Sequence, residues 1–335
     1  MFAPVMIKEL YRNFLLQLQK IYSLGEATSI TDWVFEKKVS LKRTDIIKNP
    51  NKRITPAADK LIQEALGELL THKPVQYVLG EGWFYHMKLK VNEHVLIPRP
   101  ETEELVEQLI KDRKSRLTDP AILDIGTGSG CIPIAIKKYL PAAIITSMEI
   151  SRQAIDLAKE NAAMHNAHIH FVHLDFLDEK NWPALPLFDI IISNPPYVMS
   201  PPGGERLLYR EGGFTGDGLV EAVVRGGAER LNPGGKLQVL GNWAITDDQP
   251  WEERLAGWIR PTGADALVLE RERLDAYEYI ELWLERLQAS GALEATGDTY
   301  RAGIAGVEPL HDPRLSHLPT AEGDAYRASL PEWVD

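Results

Sequence analysis

Four short stretches of the chain carry residue types, at spacings, that could do chemistry on a nucleotide-like ligand and on a planar nitrogen held beside it. Ile122-Leu123-Asp124-Ile125-Gly126-Thr127-Gly128-Ser129-Gly130-Cys131 reads as an apolar strand entering a glycine-rich turn that opens a helix. Glycines permit the tight turn and let the backbone approach a ligand at the carboxyl edge of a sheet, and the amides at the helix N-terminus would face a carboxylate or phosphate. A glycine turn is also ordinary loop chemistry; the strand-turn-helix context is what favours a ligand. Glu149, nineteen residues beyond Gly130, ends the next strand, where a carboxylate accepts hydrogen bonds from both hydroxyls of a ribose. Its plainer alternative is a solvated neighbour of the helix-capping Ser151. Asp175-Phe176 ends the third strand and offers an acceptor and an aromatic face to an adenine, against the alternative of a charged loop.

The fourth stretch is the most specific. The strand Phe188 to Ser193 runs into Asn194-Pro195-Pro196-Tyr197, 64 residues after Gly130. Two consecutive prolines fix the backbone and donate no hydrogen bonds, so the Asn194 side chain and the Pro195 carbonyl can aim two acceptors at one planar NH2 group. Tyr197 offers a ring to pack against that group. A plain turn could carry the same tetrapeptide, but its place at the end of an apolar strand favours chemistry.

Holding these groups together takes a sheet, and the flanking periodicities supply one. Ile7, Leu10, Tyr11, Phe14, Leu15, Leu18, Ile21 and Tyr22 mark an opening amphipathic helix that Gly25 should end. A weaker helix is expected over 31–39, and Thr55-Pro56 caps another carrying Leu61, Ile62, Ala65, Leu66, Leu69 and Leu70. Residues 1–73 thus read as a small helical bundle. Residues 74–98 read as a β-hairpin linker, with strands at 83–85, 89–91 and 95–97 turning at Asn92-Glu93. Helices and strands then alternate: strands at 121–125, 143–149, 168–173, 187–193, 236–241 and 264–270, and helices at 130–139, 151–164, 217–231, 251–259 and 276–289, after one through Leu105, Val106 and Leu109. Such alternation implies right-handed crossovers and an α/β, doubly wound, mostly parallel sheet, placed here in a domain at 99–290. Residues 291–335, rich in Gly, Pro, Ala and Asp, read as an irregular tail.

Composition narrows the class. At 335 residues, 44% hydrophobic and 25% charged, the chain has the makings of an ordinary globular protein of about two domains rather than a disordered or fibrous one. The single cysteine, Cys131, forms no intramolecular disulfide and no paired-cysteine zinc site, which fits a reducing cytoplasm. Lys8, Glu9, Arg12 and Lys20 interrupt the first twenty residues, so these lack the apolar stretch of a signal peptide or membrane span. Formal charge is −11, with +4 over residues 1–75, and a stable duplex nucleic-acid partner would call for a larger basic face. Seventeen of eighteen lysines fall at or before Lys180 while twelve of nineteen arginines follow it, as chance surface drift or a joining of two halves of different ancestry would give.

The four elements together resemble class I methyltransferases that use S-adenosylmethionine, with the Asn-Pro-Pro-Tyr tetrapeptide of those methylating planar amide or amino nitrogens. Upstream, Lys73-Pro74-Val75-Gln76-Tyr77-Val78-Leu79-Gly80 and Val95-Leu96-Ile97-Pro98-Arg99-Pro100-Glu101-Thr102-Glu103 are similar to the HemK-type peptide-chain release factor glutamine N5-methyltransferases, strongly over about 73–197. That resemblance implies a Rossmann-like sheet, a helical N-terminal domain that helps hold a release factor, and methylation of the glutamine in its Gly-Gly-Gln motif. Carried over, it assigns Gly126, Thr127, Gly128, Ser129, Gly130, Glu149, Asp175, Phe176 and Asn194 to the cofactor S-adenosylmethionine. Asn194, Pro195, Pro196 and Tyr197 are assigned to the substrate glutamine, with Asn194, Pro195 and Tyr197 catalytic and Glu101 and Thr102 nearby. Hydrogen bonds to Asn194 and the Pro195 carbonyl would orient the amide nitrogen, with neither metal nor covalent intermediate needed.

The chain also departs from that family. His86 stands where the family has glycine, a strain if the backbone there takes a positive φ. After Tyr197 only Gly216-Asp217-Gly218-Leu219 resembles the release-factor enzymes, and about 188–284 looks closer to another branch of the superfamily. A closing antiparallel hairpin is hard to find, with 303–310 the sole poor candidate for its last strand. Two other functions therefore stand beside the first: methylation of adenine N6 in a flipped base, and non-catalytic binding of S-adenosylmethionine.

Overall fold

A computed structural model of the chain describes residues 6–113, 119–197, 217–243, 245 and 249–274. These fall in two compact units that divide at Glu81/Gly82.

The first unit is helical: α1 (Ile7–Leu18), α2 (Leu24–Val39), α3 (Arg43–Lys48), α4 (Pro56–Leu69) and α5 (Val75–Leu79). The α1 stripe Ile7, Leu10, Phe14 and Leu18 is buried, and the Phe14 and Tyr11 rings meet Phe35 edge-on. Thr55 caps α4 by accepting from the Ala58 amide, with Pro56 in the first turn. Gly25 does not end the first helix. Ser23 caps α2 by accepting from the Glu26 amide, so the second helix starts at Leu24, seven residues earlier than expected, with Gly25 inside its first turn. The short α3 is an addition to the expected bundle.

The second unit opens with a hairpin of β1 (Glu81–Phe84) and β2 (Met87–Lys90). Its turn is Tyr85-His86, not Asn92-Glu93, and 95–97 forms no strand. Both turn residues have positive φ, 46° and 61°, the geometry of a type I′ turn matched to strand twist. His86 therefore occupies the left-handed backbone that its sequence position put in question. Phe84, Met87 and Leu89 are buried against Val106, Ile110, Ile122 and Ile134, so the hairpin is part of the core of this unit.

After α6 (Pro100–Arg113) come β3 (Ala121–Ile125), α7 (Cys131–Tyr139), β4 (Ile144–Glu149), α8 (Arg152–Met164), β5 (His170–His173), β6 (Phe188–Ser193), α9 (Gly218–Ala228), β7 (Leu231–Val239) and α10 (Trp251–Ile259). The five strands pair in the order β5-β4-β3-β6-β7, all parallel. Apolar runs in β3 and β6 supply both faces: Ile122, Ile190 and Ile192 pack with α6 and α7, while Leu123, Ile125 and Ile191 pack with Phe176, Trp182 and α9. Alternate side chains of one strand serve opposite layers, as a sheet covered on both faces requires. A Cβ on Gly226 of α9 would lie 2.3 Å from the Trp182 ring, so glycine is what lets this helix approach. Since β3 leads to β4 on one side and β6 lies on the other, the winding reverses between β3 and β6, where such sheets bind ligands.

The strand expected at 264–270 is not formed. Residues 264–274 are irregular and Leu267 and Leu269 are exposed, and among the described residues no strand pairs with the alternating pattern. The helix expected at 276–289, the strand candidate at 303–310 and the 291–335 tail lie outside the described residues.

Candidate active site

The turn after β3 is built from backbone that only glycine adopts freely. Gly126, Gly128 and Gly130 have φ of 79°, 53° and 80°. The Gly126 and Thr127 amides donate to the Met148 carbonyl at 2.9 and 3.1 Å, tying the turn to the end of β4. In front of Gly126 and Gly128 a Cβ would meet nothing within 4 Å, whereas at Gly130 it would press on Ile134 and Ala158 at 3.1 and 3.2 Å. Two glycines thus face open space and the third lets α7 and α8 close together.

Two side chains lock this turn. Glu149 accepts from the Gly128 amide through Oε2 and from the Ser151 amide through Oε1, both at 3.0 Å. Each oxygen keeps a second lone pair for a ligand hydroxyl. Asn161 of α8 is fully buried; its Nδ2 donates to the Ser129 and Lys90 carbonyls at 2.9 Å each, and its Oδ1 accepts from the Lys90 amide at 2.7 Å. One amide therefore joins the end of β2 to the glycine turn.

Asp124 lies beneath the turn, buried in β3, with Oδ2 accepting from the Ser147 hydroxyl at 2.7 Å. Burial pushes its carboxyl up to about 7, opposed by hydrogen bonds from the Ser147 and Thr127 hydroxyls. The buried Thr127 hydroxyl faces the Asp124 carboxyl, and the buried Ser129 hydroxyl faces the Cys131 thiol. Cys131 is no nucleophile: burial raises its thiol to about 12, leaving it protonated near neutral pH.

Parallel pairing sets Ser193 of β6 beside Ile125 of β3, and the Ser193 hydroxyl donates to the Ile125 carbonyl at 2.9 Å. The next residue on each strand is then Gly126 and Asn194, so the glycine turn and the tetrapeptide leave the sheet side by side. Asn194 donates from Nδ2 to the Thr102 hydroxyl at 2.7 Å, while its Oδ1 is buried and without a partner among the described residues. Pro195 is buried, and Tyr197 packs on the Val220, Leu255 and Trp258 cluster together with Trp243 and Trp251. The structure thus gathers Gly126 to Gly130, Glu149 and Asn194 to Tyr197 at one sheet edge.

Asp175 and Phe176 follow β5 at the same edge but are engaged elsewhere. Asp175 accepts from the Leu177 amide at 2.9 Å, and the Phe176 ring is 5% exposed and stacks on Trp182 at 5.7 Å. Phe176 therefore belongs to the core, with little ring surface left for an adenine. Among the described residues no cluster of His, Cys, Asp or Glu could hold a metal ion, and no helix is long and apolar enough to cross a membrane.

Two family models match the chain: the PrmC N-terminal domain over residues 9–80 and the methyltransferase small domain over residues 100–256. The release factor glutamine methyltransferase of Flavobacterium psychrophilum is 39% identical over 196 residues, covering 58% of this chain and 68% of that protein. That of Streptococcus pneumoniae is 37% identical over 209 residues, covering 61% and 72%. The chain belongs to the release factor glutamine methyltransferase family. A solved structure of ribosomal protein L11 methylase from Lactobacillus delbrueckii subsp. bulgaricus aligns at 18% identity and a TM-score of 0.39, over 55% of this chain and 80% of that one, and carries no weight in the assignment.

Asp124 and Asn161 stand at the glycine turn, and sequence patterns point to them unequally. Asp124 has a signal, a lone charge inside an apolar strand immediately before the glycine turn. Asn161 has none, since a single Asn on an amphipathic helix reads as surface until its partners are known.

Proposed function

We propose that the protein transfers a methyl group from S-adenosylmethionine to the side-chain amide nitrogen of the glutamine in the Gly-Gly-Gln motif of peptide-chain release factors, in the cytoplasm. The observation that carries this is Asn194, whose amide oxygen is buried beside the glycine turn without a partner among the described residues, while its nitrogen is tied to Thr102. An orphaned buried acceptor costs about 1–3 kcal/mol, which an arriving NH2 group would recover.

The residues present fit the cofactor. Open space before Gly126 and Gly128, with the buried polar side chains of Asp124, Thr127 and Ser129 at the same turn, suits a small zwitterion with an ammonium and a carboxylate. Glu149, with a lone pair spare on each oxygen, suits ribose hydroxyls. When bound, S-adenosylmethionine would supply an electrophilic methyl carbon to the substrate amide nitrogen, with the carbon–sulfur electron pair left on sulfur and one N–H proton lost to solvent.

The protein must then overcome a weak nucleophile, because an amide lone pair is delocalised into its carbonyl. Asn194 Oδ1 and the Pro195 carbonyl each accept one N–H of the substrate amide, fixing its plane and turning the nitrogen toward the methyl group. Two such bonds are each worth only about 1 kcal/mol net, so they cannot themselves account for catalysis. Orientation can, since well-aligned pairs gain up to roughly 7–11 kcal/mol over free encounter. The relatives named release factor glutamine methyltransferase support this choice of substrate.

The test is labelled-methyl transfer from S-adenosylmethionine to purified unmodified release factor, with a release factor whose motif glutamine is replaced as control. Label on the intact factor and none on the replaced one is the expected result. Label on an adenine-containing oligonucleotide instead would overturn the substrate, and cofactor binding without transfer to either would leave a binding protein.

A further inference from the structure

We propose that Trp243 and Trp251 form a specificity wall on the substrate side of Asn194: the backbone next to the substrate glutamine lies against it, and the wall selects glycine there. The proposal rests on the glutamine reading above and deepens it by naming what recognises the neighbours of the glutamine.

Strand order places the wall. Along the carboxyl edge of the sheet Glu149 ends β4, the glycine turn follows β3, Asn194 follows β6, and β7 stands on the far side of β6. The groups suited to the cofactor thus lie to one side of Asn194, which leaves the β7 side for the chain that carries the substrate glutamine. Ser193 pairs with Val239, and the Leu240 amide donates to the Ser193 carbonyl at 3.0 Å. Tyr197 and Trp243 each come four residues after that paired position, and both pack on the cluster of Val220, Leu255 and Trp258. The Trp251 ring, at the start of α10, stacks on Trp243 with centroids 5.5 Å apart and planes at 31°. Trp258 is buried, whereas Trp243 and Trp251 are only partly so and keep ring surface.

The wall is braced from behind. A Cβ on Gly241 would lie 2.9 Å from Val220, so the end of β7 lies directly on α9. Arg254 of α10 pairs with Asp217, the residue before α9, and its guanidinium carbon lies 5.7 Å from the centroid of the Trp258 ring. An aromatic face held in place selects by shape: a backbone without Cβ lies flat on it, whereas a Cβ lifts the chain away. Two tryptophans here suit the two glycines ahead of the glutamine, and lifting the chain would withdraw the glutamine amide from Asn194.

The test compares kcat/KM on unmodified release factor with kcat/KM on a release factor whose motif glycine next to the glutamine is replaced by alanine. For wild type the alanine factor should be at least about a hundredfold poorer. Trp243→Ala opens the wall, weakens the native motif and makes room for the added methyl, so the ratio should shrink to less than about tenfold. Trp243→Phe keeps a ring and should keep most of the ratio, and S-adenosylmethionine affinity, measured by calorimetry, should stay within about twofold in both variants. A ratio unchanged in Trp243→Ala would overturn the proposal, as would a wild type that does not discriminate or a ratio lost only together with cofactor affinity. Should wild type methylate neither factor, the glutamine reading fails and this proposal with it; methylation of the native factor with an unchanged ratio in Trp243→Ala fails this proposal alone.

Discussion

The turn after β3 and the segment after β6 leave the sheet side by side, yet they are held in opposite ways. Gly126 to Gly130 is fastened from three directions, by the Met148 carbonyl, by Glu149 and by Asn161. At Asn194 the side-chain nitrogen bonds to Thr102, while the acceptor oxygen beside it is without a partner among the described residues. The contrast fits two different roles. A cofactor-side backbone gains from being rigid before the ligand arrives, whereas a substrate-side acceptor must stay unpaired until an NH2 group reaches it.

Removing Asn194 should show the largest effect. Asn194→Ala deletes the orphaned acceptor, and kcat should fall by about a thousandfold with the melting temperature within a few degrees, checked by labelled-methyl transfer and thermal unfolding. Retained activity would mean that the unpaired oxygen is incidental.

Asp124 comes next and sharpens the cofactor side. Its carboxyl is raised from 3.8 to about 7, so between those values the folded state holds a proton that the unfolded state has lost. Stability from this group is therefore full below about pH 4, declines as pH rises to about 7, and then levels off, a span on the order of 4 kcal/mol. Asp124→Asn removes that titration. Urea unfolding should show the variant gaining on wild type across about pH 4–7, with no difference near pH 4, while its affinity for S-adenosylmethionine falls. A difference that does not change with pH would show that Asp124 is ionised in the folded protein.

Asn161→Ala breaks the link between β2 and the glycine turn and leaves the Ser129 and Lys90 backbone groups unpaired. A loss of about 2–4 kcal/mol in denaturant unfolding is expected, with cofactor affinity down at least about tenfold by calorimetry. Unchanged affinity would place Asn161 in the scaffold alone. The smallest effect belongs to Gly128→Ala: the new Cβ meets open space, so only the left-handed backbone is penalised, about 1–2 kcal/mol by unfolding.

Much of this arrangement can be read from residues that announce themselves. Strand, glycine turn and helix follow one another in 121–139, and Asn194 to Tyr197 follows an apolar strand, because both motifs need particular residue types in contiguous order. What cannot be read depends on partners distant in sequence. The hairpin turns at Tyr85-His86, with neither Gly nor Asn, because Glu103 accepts the Tyr85 amide and the Tyr85 ring packs on Tyr139 at 5.0 Å. Tertiary contacts there outweigh the turn preference of Asn92. In α2, Gly25, Thr28 and Ser29 argue locally against helix, but burial of Ala27, Ile30 and Val34 and the Ser23 cap prevail. At 264–270 the reverse happens: the alternating pattern stays irregular, and among the described residues no strand pairs with it. Phe176 stands at a strand end, where it was expected, but its ring turns to Trp182.

The most direct measurement is a crystal structure with S-adenosylhomocysteine and a glutamine-containing Gly-Gly-Gln peptide. The expected result has the cofactor product against Gly126 to Gly130 with its ribose on Glu149, and the glutamine NH2 within hydrogen-bond distance of Asn194 Oδ1 and the Pro195 carbonyl. Ligands bound elsewhere, or an Asn194 oxygen turned toward Thr102 with the peptide in place, would contradict it.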